Sequence, residues 1–280
     1  MTTRASEHHD DPTFSFDPFA RHQFYTEVNR QLVERTMALL APDQRPPGEP
    51  LQLVELASGT GAVTELILDA VARFEHPAQL VCVDPSLDAL HLAEQRLRGQ
   101  PVSFVQGDAS ALGRAVGQVD AAFFCNAIHL VADKEACVES LVEVLAPHGL
   151  LALNTTFYEG AYVAGSAPFY YALTKGSLGW LRQQHPEVRL AHRGKVTARQ
   201  WLTPDEYVEL VRRHGLETAW LQEDTVQFPL RAIQDIGRYA LFIEGALPGI
   251  PLPLGAAALE ASAAQAFNDL HLDAVPRKWL

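Results

Sequence analysis

Three acidic residues and two glycines are spaced as a nucleotide-type cofactor would require. Glu55, Ala57, Ser58, Gly59 and Gly61 fall within one short stretch, residues 51–64 (LQLVELASGTGAVT), in which an apolar run gives way to small residues and then to a helical pattern. A chain leaving the carboxyl end of a strand here must turn sharply and let a ligand lie against bare backbone, which is what glycine permits. The helix opening near residue 62 aims unpaired N–H groups and its positive dipole end at a bound carboxylate or phosphate. Asp84, followed by Pro85, closes a second apolar run (79–84, QLVCVD) 23 positions beyond Gly61 (84 − 61). At that range a carboxylate can accept both ribose hydroxyls. A dinucleotide fingerprint would need a third small residue, and that place falls on Thr64, so the match to NAD is poor.

With Glu55, Ala57, Gly59 and Gly61 in frame, the turn resembles the E-x-G-x-G-x-G signature of class I S-adenosylmethionine (SAM) methyltransferases of the small-molecule type, with alanine in the first glycine place. The resemblance covers roughly residues 51–157. It implies SAM as cofactor and S-adenosylhomocysteine (SAH) as product. It also places Asp108, in Gly107-Asp108-Ala109, where the family's aspartate accepts a hydrogen bond from the adenine amino group, and Asn126 at the end of the fourth strand. Glu55 either contacts the cofactor or orients the turn through backbone hydrogen bonds. N-terminal helices of such enzymes lie across the cofactor mouth, which makes Tyr25 and Arg21 candidates for contact, with core packing or surface placement as the alternative. Base- and amide-modifying relatives carry Asn/Asp-Pro-Pro-aromatic where this chain has Asn126-Ala127-Ile128-His129. The aspartates of metal-dependent catechol-type relatives are also missing, so no metal is expected.

The elements that must position these residues alternate along the chain. Apolar runs predict strands at 51–56, 79–84, 102–106, 120–125 and 149–156, with Ser86 capping one intervening helix and another spanning 134–146. Strand and helix in alternation with short connections imply an α/β fold, a parallel sheet covered on both faces, with ligands at the carboxyl ends of the strands. The resemblance extends this to a Rossmann-like sheet of seven strands, mostly parallel, with helical insertions after strands 5 and 6. Residues 216–228 read as the sixth strand and 275–280 as an antiparallel seventh between the fifth and sixth. Residues 18–40 have helical periodicity, and Thr203-Pro204-Asp205-Glu206 is a capping-box helix start. Four segments follow: a tail, cap helix and linker (1–50), the cofactor core (51–157), a helical lid or packed helix pair (158–202), and the remainder of the core (203–280), with a second insertion at about 229–272.

Composition narrows the function further. The 280 residues carry 34 acidic against 22 basic side chains, a net charge of −12, and show none of the basic clustering that a polyanion needs; nucleic acid is not expected as a partner. No apolar run reaches the roughly 18 residues of a membrane span, and no basic-then-apolar leader opens the chain, so a cytoplasmic location is expected. The three cysteines have no metal-ligand spacing. His8-His9 sits in a polar tail. Tyr158, Tyr162, Phe169 and Tyr170 follow the fifth strand among small residues and are candidates to wall an apolar substrate. Two apolar insertions above the cofactor imply a roofed pocket suited to a small apolar acceptor, as in specialised (natural-product) metabolism. His129, at the end of the fourth strand, has an ordinary pKa suited to a general base or is simply a wall of the cleft. Rival readings are a methyltransferase-like protein that keeps SAM while guiding a non-methylating rearrangement, and an NAD(P)-linked reductase. The choice among O-, C- and N-methylation stays open, with O and C favoured, and a homodimer is compatible with all of this.

Overall fold

The computed structural model describes residues 12–40, 49–73, 77–188 and 201–280. The His8-His9 tail, most of the 42–50 linker and residues 189–200 of the 158–202 segment lie outside the described residues. Helices α1 (Asp17–Ala20) and α2 (Gln23–Leu40) precede β1 (Leu51–Leu56), α3 (Ala62–Arg73), β2 (Ala78–Asp84), α4 (Leu87–Arg96) and β3 (Val102–Gln106). Then come α5 (Leu112–Ala115), β4 (Val119–Cys125), α6 (Lys134–Val144) and β5 (Leu145–Asn154). The chain continues through α7 (Ala167–Gln184), α8 (Pro204–Arg213), β6 (Asp224–Pro229), α9 (Leu230–Ile236), α10 (Ala240–Ala246), α11 (Leu252–Asp269) and β7 (Ala274–Trp279).

The first five strands form one parallel sheet in the order β3-β2-β1-β4-β5. Its inner strands, β2, β1 and β4, are apolar on both sides because both sides are covered. Leu51, Leu53, Leu80, Ala121 and Phe123 join α2, α3 and the late helices in one core, while Val54, Leu56, Val83, Ala122 and Phe124 join α6 and α8 in the other. Successive side chains alternate between the two, as the pleat requires. Glu55 thereby falls on the same side as Leu53, among apolar neighbours.

The expectation of a single seven-stranded sheet is corrected. β6 and β7 pair antiparallel with each other and form a separate two-stranded sheet. β7 meets β5 only beyond its end, where Thr155 and Leu280 exchange two backbone hydrogen bonds of 2.9 Å. Side chains then take the groups that would extend this contact: Arg277 donates to the Thr156 carbonyl (2.6 Å), and the Thr156 hydroxyl donates to the Lys278 carbonyl (2.9 Å). The sixth strand is also shorter than the 216–228 expected. Its six residues match the six of β7, and the segment before it exposes Leu221. The helix expected over 18–40 breaks at Arg21-His22, where the His22 ring turns to Asp235 (3.0 Å). The capping box at Thr203 is present, with Glu206 bonding back to the Thr203 N–H at 2.7 Å.

Among the described residues no helix is long and apolar enough to cross a membrane, and no group of three or more His, Cys, Asp or Glu is arranged to hold a metal ion. Cys82, Cys125 and Cys137 are buried free thiols.

Candidate functional site

At the carboxyl ends of β1, β2 and β4 lies a cavity of about 1040 Å³, roofed by α1, α7, α9 and α10. Its floor on one side is the turn after β1. Ala57 (φ 55°), Gly59 (φ 55°) and Gly61 (φ 83°) all occupy the left-handed region. Alanine there lacks glycine's freedom, so the chain carries about 1 kcal/mol of strain at Ala57. The two glycines serve different ends. A Cβ on Gly59 would meet nothing within 4 Å, leaving the backbone open to the cavity, whereas one on Gly61 would lie 3.0 Å from Leu97 Cδ1. Gly61 therefore lets the turn pack against the end of α4 and does not line the cavity.

Two carboxylates flank this turn in different states. Asp84, at the end of β2, accepts the Gly59 N–H on one oxygen (2.7 Å) and the Ser86 N–H on the other (2.9 Å). Burial raises its pKa, and the two N–H groups pull it back. Each oxygen retains a lone pair for a ligand. Glu55 lies deeper. Its Oε2 accepts the Thr64 hydroxyl at 2.6 Å, so the residue that breaks the dinucleotide pattern is this carboxyl's partner. Burial pushes the Glu55 pKa to about 8, with the Asp84 charge adding to the effect, so at neutral pH it holds its proton.

The turn after β4 is tied into the molecule by amides. Asn126, in the left-handed region (φ 50°), accepts the Thr156 N–H on Oδ1 (3.1 Å) and donates its own N–H to Asn154 Oδ1 (2.9 Å). Asn154 in turn donates to Asn29 on α2 at 2.9 Å. Asn126 Nδ2 and Ser58 Oγ are buried at the cavity wall without a hydrogen-bond partner among the described residues. Tyr25 and Pro85 also line the cavity. Across its mouth, Asp17 of α1 accepts hydrogen bonds from the Thr60 hydroxyl (2.7 Å) and Arg96 (2.6 Å), fastening the N-terminal helix to the cofactor turn. Arg21 is not part of the wall; it pairs with Asp17.

His129 lines the cavity beyond Asn126, in a 3-10 turn at Ile128–Leu130. Its Nδ1 lies 3.2 Å from the Thr155 hydroxyl, and its ring packs on Phe157 with centroids 4.4 Å apart. Burial, with the charges of Lys134 and Arg277 adding to it, lowers its pKa to about 3. The ordinary pKa expected from the sequence is thus corrected: His129 is neutral throughout the physiological range and a weak base.

The remaining sequence candidates divide. Tyr162 and Tyr170 line the cavity; Tyr158 and Phe169 do not. Tyr158 is fully buried and donates its hydroxyl to Glu223 (2.6 Å), and Phe169 packs against Phe267. Asp108 and Ala109 also lie outside the wall, with Asp108 exposed and accepting both the N–H and the hydroxyl of Ser110. Sequence reasoning missed Phe157, Trp201, Phe242 and, above all, Arg277. The alternation of β7 carried the signal for the last: Val275, Arg277 and Trp279 share the inward face and are all buried.

Residues 54–153 match the family model described as a methyltransferase domain. No curated protein matches the chain by sequence. Among solved structures, the fold is similar to that of a protein from Galdieria sulphuraria assigned as a sarcosine dimethylglycine methyltransferase, with TM-score 0.53 and 12% identity over 96% of this chain and 91% of that one. It is also similar to a protein from Anabaena variabilis assigned as a methyltransferase of an antibiotic biosynthesis pathway, with TM-score 0.52 and 15% identity over 89% and 95%. A plantazolicin methyltransferase crystallised with SAH and a triazolic desmethylPZN analog aligns at TM-score 0.48 and 14% identity, over 93% and 86%. By its matched segment and the parallel sheet that carries it, the stretch 54–153 is similar to a methyltransferase domain.

Proposed function

We propose that this chain transfers a methyl group from SAM to a small, largely apolar organic molecule. The observation that carries the reading is the continuity of the cavity, which runs from the Gly59 turn and Asp84 at one end to Phe157, Tyr162, Trp201 and Phe242 at the other. The first end suits the nucleoside half of the cofactor. Asp84 has lone pairs for two ribose hydroxyls, the Gly59 backbone is bare, and Asn126 Nδ2 and Ser58 Oγ await polar partners. When bound, SAM would supply an electrophilic methyl group on a sulfonium.

The second end would hold the acceptor. Aromatic and aliphatic walls exclude water and favour an apolar body over a peptide, whose backbone would be left unsatisfied there. His129 stands between the two ends. As a neutral imidazole with Nδ1 engaged by Thr155, it can offer Nε2 to hydrogen-bond an acceptor, but its basicity is too low to remove a proton from an ordinary phenol. In this reading His129 adds a binding contact to the acceptor, while the cavity walls as a whole align it for transfer, a contribution that can reach several kcal/mol. Oxygen or carbon is the favoured methyl acceptor, in a molecule acidic enough to react without a strong base. The core at 51–157 serves the cofactor, and the insertions around α7 and α9–α11 enclose the acceptor.

The test is a methyl-transfer assay with isotopically labelled SAM and a panel of phenols, enols and activated methylene compounds, read by mass spectrometry. Label appearing in a small acceptor supports the proposal. SAH binding without transfer to any of the panel would instead favour the reading in which SAM is retained for a non-methylating rearrangement.

A further inference from the structure

Arg277 is the most informative side chain that the methyl-transfer reading leaves unused. It is 4% exposed and lines the acceptor end of the cavity. Guanidinium stays charged inside a protein, and an arginine so buried ordinarily faces a carboxylate. Arg96, Arg231 and Arg238, all more exposed than Arg277 at 23%, 63% and 42%, nonetheless reach Asp17, Asp235 and Glu260. Arg277 forms no ion pair with any described residue, although the chain has 34 acidic side chains. The nearby carboxylate of Glu223 is engaged by Lys278 (2.7 Å) and the Tyr158 hydroxyl (2.6 Å).

The neighbours that Arg277 does have hold it in place without neutralising it. Nε and Nη2 donate to the Thr156 carbonyl at 3.0 and 2.6 Å. The rings of Tyr162, Trp201, Phe157 and Tyr170 surround the guanidinium carbon at 4.3 to 5.7 Å. The Tyr170 hydroxyl is a further acceptor. Of five N–H groups, two are spent on Thr156 and one can reach Tyr170, which leaves donors on the terminal nitrogens for something else. Two N–H groups on one planar edge match a carboxylate better than any neutral oxygen. The location also separates this charge from the cofactor. Arg277 adjoins Thr156 just past β5, two strands away from β1 and its turn, with His129 and Phe157 between them.

We propose that the acceptor of this enzyme carries a carboxylate on an apolar, ring-containing body, and that Arg277 binds the carboxylate while the surrounding aromatic rings hold the body beside His129. This names the acceptor class for the proposed methyl transfer and rests on that reading only for the identity of the reaction; an anion-binding end of the cavity stands or falls independently of it. An enclosed apolar cavity with one caged cation would thus select an amphipathic monoanion and reject both the neutral analogue, which leaves the charge unmatched, and the dianion, which brings an excess.

The test uses the wild-type full chain and three isosteric probes: 2-naphthoate, 2-naphthamide and 2-naphthalenemethanol. Binding is measured by titration calorimetry with and without SAH. We expect naphthoate to bind at least about tenfold more tightly than either neutral probe, the gain expected of a charge-assisted hydrogen bond. Arg277→Met should abolish that preference without changing SAH affinity, and Arg277→Lys should keep part of it. Equal or weaker binding of naphthoate to the wild type, or no binding of any probe at millimolar concentration, would overturn the proposal whether or not the variants fold. So would an undiminished preference in a folded Arg277→Met protein. Loss of SAH binding in Arg277→Met, with its thermal unfolding unchanged, would assign Arg277 to the cofactor instead and overturn the proposal too. If the wild type prefers naphthoate yet does not bind SAH at all, the methyltransferase reading fails and the carboxylate site remains.

Discussion

Replacing Glu55 with glutamine is expected to stabilise the protein by an amount that grows with pH. In the folded chain Glu55 keeps its proton up to about pH 8, against 4.5 ordinarily, because burial strips water from the charged form and no cation compensates. The unfolded chain releases that proton from about pH 4.5 upward. Across this window the unfolded state is the one that gains by ionising, and each pH unit costs the fold about 1.4 kcal/mol. The contribution of Glu55 is thus fully present below pH 4.5 and is lost as pH rises through 8. The loss amounts to about 3 kcal/mol at pH 7 and approaches 5 kcal/mol above pH 8. Glutamine does not titrate, and its carbonyl can still accept the Thr64 hydroxyl. Urea denaturation of the ligand-free proteins, followed by circular dichroism at half-unit pH intervals, gives the difference directly. The two proteins should agree within about 1 kcal/mol at pH 4.5 and diverge by about 3 kcal/mol at pH 7. His129 contributes the opposite dependence, losing stability as pH falls from 6.5 towards 3, but it is common to both proteins and cancels. A pH-independent difference, or a variant weaker than wild type at pH 8, would mean that Glu55 is ionised in the fold and that the apolar surroundings assigned to it are wrong.

Three further outcomes follow from the site. Asp84→Ala should weaken SAH binding by at least about tenfold, since two charge-assisted hydrogen bonds to the ribose are lost and the Gly59 and Ser86 N–H groups lose their acceptor; unchanged calorimetric affinity would remove the ribose from Asp84. His129→Ala should raise the Michaelis constant for the acceptor while kcat stays within about tenfold, because a binding contact acts on ground and transition states alike, and the wild-type rate should show no His129 titration between pH 5 and 8. A hundredfold fall in kcat, or a step in the pH profile removed by the substitution, would restore the general base. Ala57→Gly should leave the unfolding free energy unchanged or raise it by up to about 0.5 kcal/mol, against the usual destabilising effect of glycine, because relief of the left-handed strain offsets the entropy that glycine adds to the unfolded chain; a destabilised variant in thermal unfolding would contradict that.

What the sequence made legible follows from physical redundancy. Strands β1, β2 and β4 are largely buried on both faces, so each stands out as an apolar run and its end falls where the run ends. Asp84, Gly59 and Asn126 reach the cavity because a strand end and a turn leave them little choice of direction. Side chains outside that frame were not so constrained. Phe157 and Tyr158 are neighbours in an irregular segment, and only the packed structure decides that the first faces the cavity and the second faces Glu223. Asp108 stands after β3 as expected, yet its carboxylate caps a 3-10 turn through Ser110. The pKa of His129 is set by Lys134, Arg277 and burial, none of which its own sequence neighbourhood announces fully. β7 is the instructive intermediate case. Its period-2 pattern was visible, but its separation from β5 depends on the side-chain hydrogen bonds of Thr156 and Arg277.

On the proposed function, the Gly59 turn and Asp84 hold the nucleoside of SAM and not a dinucleotide. Calorimetric titration of the purified 280-residue chain with SAH and, separately, with NADH tests it most directly. SAH is expected to give a saturable, one-to-one exothermic isotherm, and NADH none at the same concentrations. Saturable binding of NADH with no heat from SAH would contradict it.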